Sequence, residues 1–329
     1  MPPRSTALLA LLGLWGLPLA AAAQPMDDPN STLTIQIEND STRSNSDDYY
    51  TSGERIAYTS PTGQVWAPLA ALGHTLLGDG QQRFAFDLSQ LIFTPFQTQL
   101  VHPPLDDRPY AGVLMATAGL IQDTADTRTA LSLGLGIVGP AAMGEEVQNG
   151  FHQLIHDTTA KGWHQQLPNQ PTVELTAERT WRLPLGQLGG LETDALPSLT
   201  GAAGTFRTYA QAGGIVRIGQ GLDSDFGAPR IRPGLTGTDA YMGTLPFAWY
   251  VFAGVDGQAV AFDETLDGLP FQNTRHVSRL PMVGEFEAGF AIVTHGMRLT
   301  ATQVVQSNEF RGQTNGRFQF SSVALSFKF

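Results

Sequence analysis

The chain of 329 residues contains no cysteine. That absence excludes a thiol nucleophile, a cysteine zinc site and a lipoprotein anchor, and leaves an exported protein to its hydrogen-bond ladders and packing. Charge is sparse: 15% of residues are Asp, Glu, Lys or Arg, against roughly 25% in ordinary soluble proteins. Positive charge is the scarcer sign, with 19 Lys and Arg against 30 Asp and Glu and a net charge of −11. This balance argues against nucleic acid as a partner and leaves many carboxylates for a divalent cation. Long apolar runs are missing after residue 23, so the body of the chain has no helical membrane span.

What is present begins with an export signal. Arg4 supplies the positive end, Ala7 to Ala20 is apolar, and Ala21-Ala22-Ala23 forms an A-x-A cleavage site. Residues 1–23 are therefore expected to be removed, leaving 24–329 as the mature chain. That mature chain alternates apolar and polar residues, as in Leu33-Thr34-Ile35-Gln36-Ile37 and Arg298-Leu299-Thr300-Ala301-Thr302. Low charge, 36 glycines and period-two alternation suit an all-β fold, a transmembrane antiparallel barrel whose outer face meets lipid. A soluble β-sandwich shares this composition. The end of the chain favours the barrel: Val323, Leu325, Phe327 and Phe329 alternate to a terminal aromatic. A last strand ending in Phe329 is the signal read by the outer-membrane insertion machinery. Upstream, Phe318 and Phe320 fall on the opposite parity, so the pattern slips at Ser321-Ser322.

About twelve strands are expected, near 32–39, 53–60, 83–93, 110–121, 128–138, 172–182, 194–204, 207–217, 246–261, 280–293, 297–306 and 317–329. An even count puts both termini on the periplasmic side. Ala67–Leu77 reads as a short amphipathic helix on that side. Gly219–Leu245 is a long Gly/Pro/Asp-rich periplasmic connection, unusual where barrels keep their turns short.

By the same parity the loops after strands one, three and five are extracellular, and they hold the densest polar clusters. The first runs from Glu38-Asn39-Asp40 to Asp47-Asp48-Tyr49-Tyr50-Thr51-Ser52-Gly53. The second contains Asp106-Asp107-Arg108-Pro109-Tyr110-Ala111-Gly112, and the third runs from Gly139-Pro140 to His152. Strand pairing lets all three converge on one outer rim. The third reads as a short extracellular helix, with Val147, Phe151, Leu154 and Ile155 on an apolar face and Glu145, Gln148 and His152 along another line. Its apolar side suits either the barrel or lipid.

Taken together, these clusters resemble the lipid A 3′-O-deacylase (LpxR) family of outer-membrane barrels. The resemblance rests on Glu38-Asn39-Asp40, on Tyr50-Thr51-Ser52-Gly53 and on Asp107-Arg108-Pro109-Tyr110-Ala111-Gly112. It continues through Gly139-Pro140, Gly144-Glu145-Glu146-Val147-Gln148-Asn149, His152, Trp163 and Gln166. The order and spacing match over the N-terminal half, and the remaining strands match mainly in architecture. The resemblance implies a twelve-stranded barrel in the outer membrane with its active site toward the outer leaflet. It also implies calcium as cofactor and, as the reaction, cleavage of the ester carrying the 3′-acyloxyacyl group of lipid A in lipopolysaccharide. Asn39 and Asp40 match the family's pair at the end of the first strand, Thr51 the site threonine, and His152 the helix histidine. Two departures stand out. A site lysine found in family members aligns near Leu100, where none is present. An acidic site residue aligns with Thr158, with Asp157 adjacent.

The chemistry is coherent on its own terms. Ester hydrolysis needs an activated water and a stabilised oxyanion, and His152 is a suitable neutral-pH base. Asp40, the Thr51 hydroxyl and backbone carbonyls are hard oxygen donors for calcium, which can polarise an ester carbonyl. Asn39 suits an oxyanion donor or a water-orienting group. Glu145, Gln148, Asp107, Arg108 and Asp157 are expected to contact substrate or support the site. Rival readings are an outer-membrane phospholipase and a non-enzymatic porin or adhesin barrel. The first would need a serine beside a histidine, and the second a wide polar lumen or long outer loops.

Overall fold

Alternation decides the fold through an inversion of the usual burial pattern. Along the first strand Thr34, Gln36 and Glu38 are buried, while Ile35 and Ile37 are 47% and 54% exposed. Later strands repeat this, with Leu133, Leu135, Val251, Val255, Phe286, Val323 and Leu325 turned outward. Polar side chains line the inside and apolar ones meet the surroundings, as a closed sheet in lipid requires. The computed structural model describes residues 27–40, 47–231, 237–314 and 316–329. The export signal read over 1–23 lies outside the described residues.

Thirteen strand segments follow in chain order: β1 Thr32–Asn39, β2 Tyr49–Thr59, β3 Gln81–Thr94, β4 Ala111–Asp123, β5 Thr127–Val138, β6 Gln170–Trp181, β7 Leu183–Leu188, β8 Leu191–Gly204, β9 Arg207–Gln220, β10 Phe247–Asp263, β11 Met282–Thr294, β12 Met297–Ser307 and β13 Arg317–Lys328. Both β6 and β7 pair with β8, along its successive stretches, so they form one strand interrupted at Arg182. The barrel therefore has twelve antiparallel strands in up-and-down order. The seam between β1 and β13 closes it, from Thr32↔Lys328 to Asn39↔Ser321. Among the described residues no helix is long and apolar enough to cross a membrane.

At the end of the barrel that carries the termini, α1 spans Ala67–Leu77, as the sequence pattern predicts. A proline in its first turn and Gly78 at its C-cap, with φ 79°, set its limits. The long connection after β9 does not hang from this end. Its described parts fold into the lumen as a plug. Arg217 reaches Asp194 and, at 2.7 Å, Asp225. Arg298 reaches Asp225 at 3.2 Å, and the Tyr250 hydroxyl donates to the same carboxylate at 3.0 Å. Arg55 grips Asp239, Gln36 donates to the Pro229 carbonyl at 3.0 Å, and the Ile231 N–H donates to Glu38 at 2.8 Å. The lumen-facing charges thus find partners on the connection, which explains its length and polarity.

The opposite end is filled differently. Tyr50 packs edge-on against Phe320 at 5.1 Å, Tyr49 against Phe310 at 5.7 Å, and Phe318 stacks on Phe320 at 5.8 Å. Phe318 and Phe320 face inward, on the same side as Ser322, Ala324 and Ser326. The expected slip at Ser321-Ser322 is absent, because β13 runs without interruption and the lining changes from polar to aromatic.

Candidate active site

The far rim, away from the termini, carries the loops β1–β2, β3–β4 and β5–β6, and the site forms on the outer face of the wall there. Asn39 continues the outward parity of Ile35 and Ile37. On β3, Ile92 and Thr94 continue that of Phe86 and Leu88, yet both are fully buried. They are covered by the β5–β6 loop. Ile92 packs with Tyr110, Ala160 and Trp163, and Val147 joins them from α2.

That helix, α2, spans Gly144–Leu154. It follows a single 3₁₀ turn at Pro140–Ala142, and Met143 between them holds a left-handed φ of 59°. Two glycines bring it against the wall. A Cβ on Gly112 would lie 3.0 Å from the Gly144 nitrogen, and one on Gly144 would lie 2.7 Å from the Trp163 ring. The contact buries the face that carries Gln148 and His152, while Phe151, Leu154 and Ile155 are exposed. The apolar side expected from the sequence is divided: Val147 packs on the barrel wall, and Phe151, Leu154 and Ile155 are turned outward. Glu145, expected on the line with Gln148 and His152, is exposed.

His152 uses both ring nitrogens. Nδ1 lies 2.7 Å from the Thr158 carbonyl, which makes it the donor. Nε2 lies 3.1 Å from the Asp47 carboxylate. The position aligned with a family acid thus serves through its backbone oxygen. Asp157 is exposed, and its carboxylate accepts the Thr158 N–H at 2.6 Å.

A β-bulge between Tyr50 and Ser52 sets Thr51 apart from the regular register. Its hydroxyl pairs with the Thr94 hydroxyl at 2.9 Å, and Thr94 in turn meets the Asp47 carbonyl at 3.1 Å. The Thr51 carbonyl accepts the Asn39 amide at 3.1 Å and the Asp40 N–H at 3.2 Å. Asp40 accepts the Asp48 N–H at 2.6 Å. Asn39, Asp40, Thr51 and His152 are therefore joined through Asp47, Asp48 and Thr94. Sequence reasoning assigned no role to Asp47 and Thr94. The only signal was the place of Asp47 in a polar cluster before β2, and Thr94 is an ordinary strand end by spacing. Gln148, expected in a supporting role, receives the Trp163 indole N–H at 2.7 Å, which ties α2 to the following turn.

Two expected support residues lie elsewhere. Arg108 points into the lumen, where it pairs with Glu309, donates to Thr265 at 2.7 Å and stacks over Phe93 at 4.3 Å. Asp107 spends its carboxylate on the N–H groups of Phe96 at 2.9 Å and Arg108 at 2.7 Å, which shapes the β3–β4 loop.

Electrostatics sharpen the site. Burial, reinforced by the neighbouring Asp47 and Asp48 carboxylates, pushes the Asp40 carboxyl up to about 9. Burial also raises Asp47, against the opposing pull of His152. Asp40 Oδ1 is buried and has no hydrogen-bond partner among the described residues. Among the described residues no three His, Asp or Glu side chains form a metal-holding group by themselves. A hard divalent cation would have to combine the Asp40 carboxylate with the Thr51 hydroxyl and backbone carbonyls. The orphaned Asp40 oxygen fits that donor set.

The inverted barrel defines an integral outer-membrane protein, one that gathers a histidine, carboxylates and a threonine at a single rim on the outer face of its wall. The chain belongs to the family of the outer membrane protein LpxR, whose model matches residues 7–329. LpxR from Salmonella typhimurium is similar in structure, at 20% identity, with a TM-score of 0.74 over 91% of this chain and 100% of that one. The β domain of the Bordetella autotransporter BrkA, at 12% identity and a TM-score of 0.43, covers 92% of this chain and 99% of its own. No curated protein sequence matches the chain.

Proposed function

We propose that this protein is a calcium-dependent hydrolase that removes the 3′-acyloxyacyl group from lipid A, by attack of a water molecule activated by His152. The observation that carries the reading is the tethered imidazole. Its Nδ1–H is committed to the Thr158 carbonyl at 2.7 Å, so Nε2 is the nitrogen left for proton transfer. The ring is buried and is joined through Asp47 and Thr94 to Thr51, Asn39 and Asp40, and the ester of a membrane-embedded lipid would be brought to this network.

The water takes the place at Nε2 that the Asp47 carboxylate, 3.1 Å away, holds in the resting site, and the carboxylate moves aside but stays next to the ring. As the water oxygen bonds to the ester carbonyl carbon, Nε2 takes the water's proton, and the Asp47 carboxylate stabilises the imidazolium that forms. The carbon–oxygen bond to the sugar then breaks, and the imidazolium returns the proton to the departing sugar oxygen. Asn39 lies on the same outer face and suits a donor to the carbonyl oxygen or an orienting group for the water. Calcium held by Asp40, the Thr51 hydroxyl and backbone carbonyls would supply a positive charge for the developing oxyanion. The two ring nitrogens of His152 face the Thr158 carbonyl and the Asp47 carboxylate, and among the described residues neither meets a serine or threonine hydroxyl, which favours water over an acyl-enzyme.

The direct test is mass spectrometry of lipid A from cells with and without the protein. It is paired with fatty-acid release by the purified protein in calcium or chelator. Loss of the 3′-acyloxyacyl mass and calcium-dependent release are expected. Release from phospholipid instead would favour the phospholipase reading, and an unchanged lipid A spectrum would refute the deacylase.

A further inference from the structure

Lys161 and Lys328 are the only lysines of the chain. Lys328 lies at the terminal end, paired with Asp28. Lys161 lies at the far rim, exposed, and among the described residues it stands in no ion pair. Its backbone is well fixed. The Lys161 N–H donates to the Thr98 carbonyl at 2.9 Å, and the preceding Ala160 is held to α2 by Asn149 through bonds of 3.1 and 2.8 Å.

Three residues further on, His164 meets His102 of the β3–β4 loop edge-on, with ring centroids 5.5 Å apart. The Gln165 amide nitrogen lies between the rings, 3.4 Å from His164 Nε2 and bonded to His102 Nδ1. Gln165 Oε1 accepts from Arg275, which arrives from the β10–β11 loop, at 3.4 Å. Arg275 also binds the carbonyls of Pro103, at 3.3 Å, and Pro104, and its Nε is buried with no partner among the described residues. Asp106 and Asp107 are the nearby carboxylates that act on it.

Three loops thus set a lysine, two imidazoles and a guanidinium along one lip, in a protein of net charge −11. Exposed Leu100, Val101 and Leu105 lie on the same loop as His102, and exposed Phe271 lies on that of Arg275. Cationic groups beside exposed apolar ones are the pattern of a surface that meets lipid headgroups. The hydrolysis described above uses none of these residues.

We propose that Lys161, His102, His164, Gln165 and Arg275 form a phosphate subsite that grips the phosphorylated sugar headgroup of the lipid being deacylated. The identity of that lipid rests on the function proposed above. Phosphate oxygens are acceptors for all four kinds of donor, and the lip stands on the same loop as the covering turn of the active site.

The test is binding of the full-length protein in detergent to lipid A with its phosphates, to the same lipid A after phosphatase treatment, and to inorganic phosphate as competitor. The intact protein should prefer the phosphorylated lipid by about tenfold, and the variant K161Q/H102Q/H164Q should lose that preference. Should the triple variant fail to fold, K161Q alone decides: a loss of about threefold or more is expected, and no change overturns the proposal. Equal binding of both lipids by the intact protein, or a folded triple variant that keeps the preference, also overturns it. Inorganic phosphate competing at the concentration of the lipid itself would overturn a lipid-borne ligand. Acyl release is scored separately. A protein that releases no acyl chain refutes the hydrolase, while the binding ratio still judges the lip.

Discussion

At the scale of the residue, His152 and Asp40 carry opposite kinds of commitment. His152 is held by a carbonyl on one nitrogen and faces a carboxylate on the other. Removing a positioned base typically costs about 10² to 10⁴ in rate, so His152→Ala should cut acyl release by that factor while lipid A binding persists. A variant with undiminished turnover would remove the histidine from the mechanism. Asp40 has an oxygen with no partner among the described residues and a carboxyl raised from 3.8 to about 9 by burial. A folded value above the unfolded one means that ionisation is less favourable in the folded chain. Without a cation, stability therefore falls as pH rises from the ordinary carboxylate range toward 9. A cation that binds the ionised form offsets this loss. Calcium should accordingly raise the thermal unfolding temperature over that in chelator more at about pH 8 than at about pH 5. Asp40→Ala should abolish both the calcium shift and the activity and leave the barrel folded. A calcium shift that survives in this variant would place the ion elsewhere. Asn39, Asp40, Thr51 and His152 stood out in the sequence because the motifs that resemble the LpxR family carry them, and the fold links the four through Asp47, Asp48 and Thr94. Asp47 did not, since its contact with His152 depends on how a loop returns across the site, which no local periodicity encodes.

At the scale of the element, the decisive contact is between α2 and the wall. Gly112 and Gly144 leave no room for a side chain. Gly144→Val should push the helix from the wall at a strain of roughly 1–3 kcal/mol and reduce acyl release by at least about tenfold, with the barrel intact by heat-modifiable gel mobility. Full activity in this variant would show that close seating of the helix is dispensable. Helix and strand identities were readable from periodicity: α1 occupies Ala67–Leu77, and α2 begins one residue before Glu145. The start of β2 was misplaced because a bulge and a left-handed Tyr49, at φ 65°, open the strand at residue 49 rather than 53. Alternation also misled at β13, where aromatic lining at the far end of the lumen mimicked a change of face. Arg108 was drawn toward the site by its motif, yet its partner Glu309 lies some two hundred residues away, at a sequence separation of 201 that no local pattern reveals.

At the scale of the whole molecule, the lumen is occupied from both ends, by the plug of the β9–β10 connection and by the aromatic cluster. A planar-bilayer recording should show no steady conductance, and a stable open channel would revive the porin reading. The plug is anchored by buried ion pairs, and removing one partner of such a pair leaves an uncompensated charge worth about 3–5 kcal/mol. Arg55→Ala, which strands Asp239 and Asp87, should lower the thermal unfolding temperature without creating acyl-release defects as large as those of His152→Ala. The closed barrel was legible from alternation and the terminal strand. The plug was visible only as an anomaly of length, because its reason lies in Arg55, Arg128, Arg217 and Arg298, on four separate strands.

The orientation of α2 has a consequence for kinetics. Its hydrocarbon-compatible residues Phe151, Leu154 and Ile155 are exposed; under the proposed function they meet the leaflet, and the ester reaches the site sideways rather than from the water above. A substrate arriving that way diffuses in two dimensions and keeps its acyl chains in the leaflet. It avoids extraction, which costs about 0.8 kcal/mol for each methylene withdrawn. Turnover should then follow the mole fraction of lipid A in the membrane or mixed micelle rather than its bulk concentration. Diluting the surface with inert detergent at constant total lipid A should slow the reaction, whereas diluting the whole suspension should leave the rate per enzyme molecule unchanged.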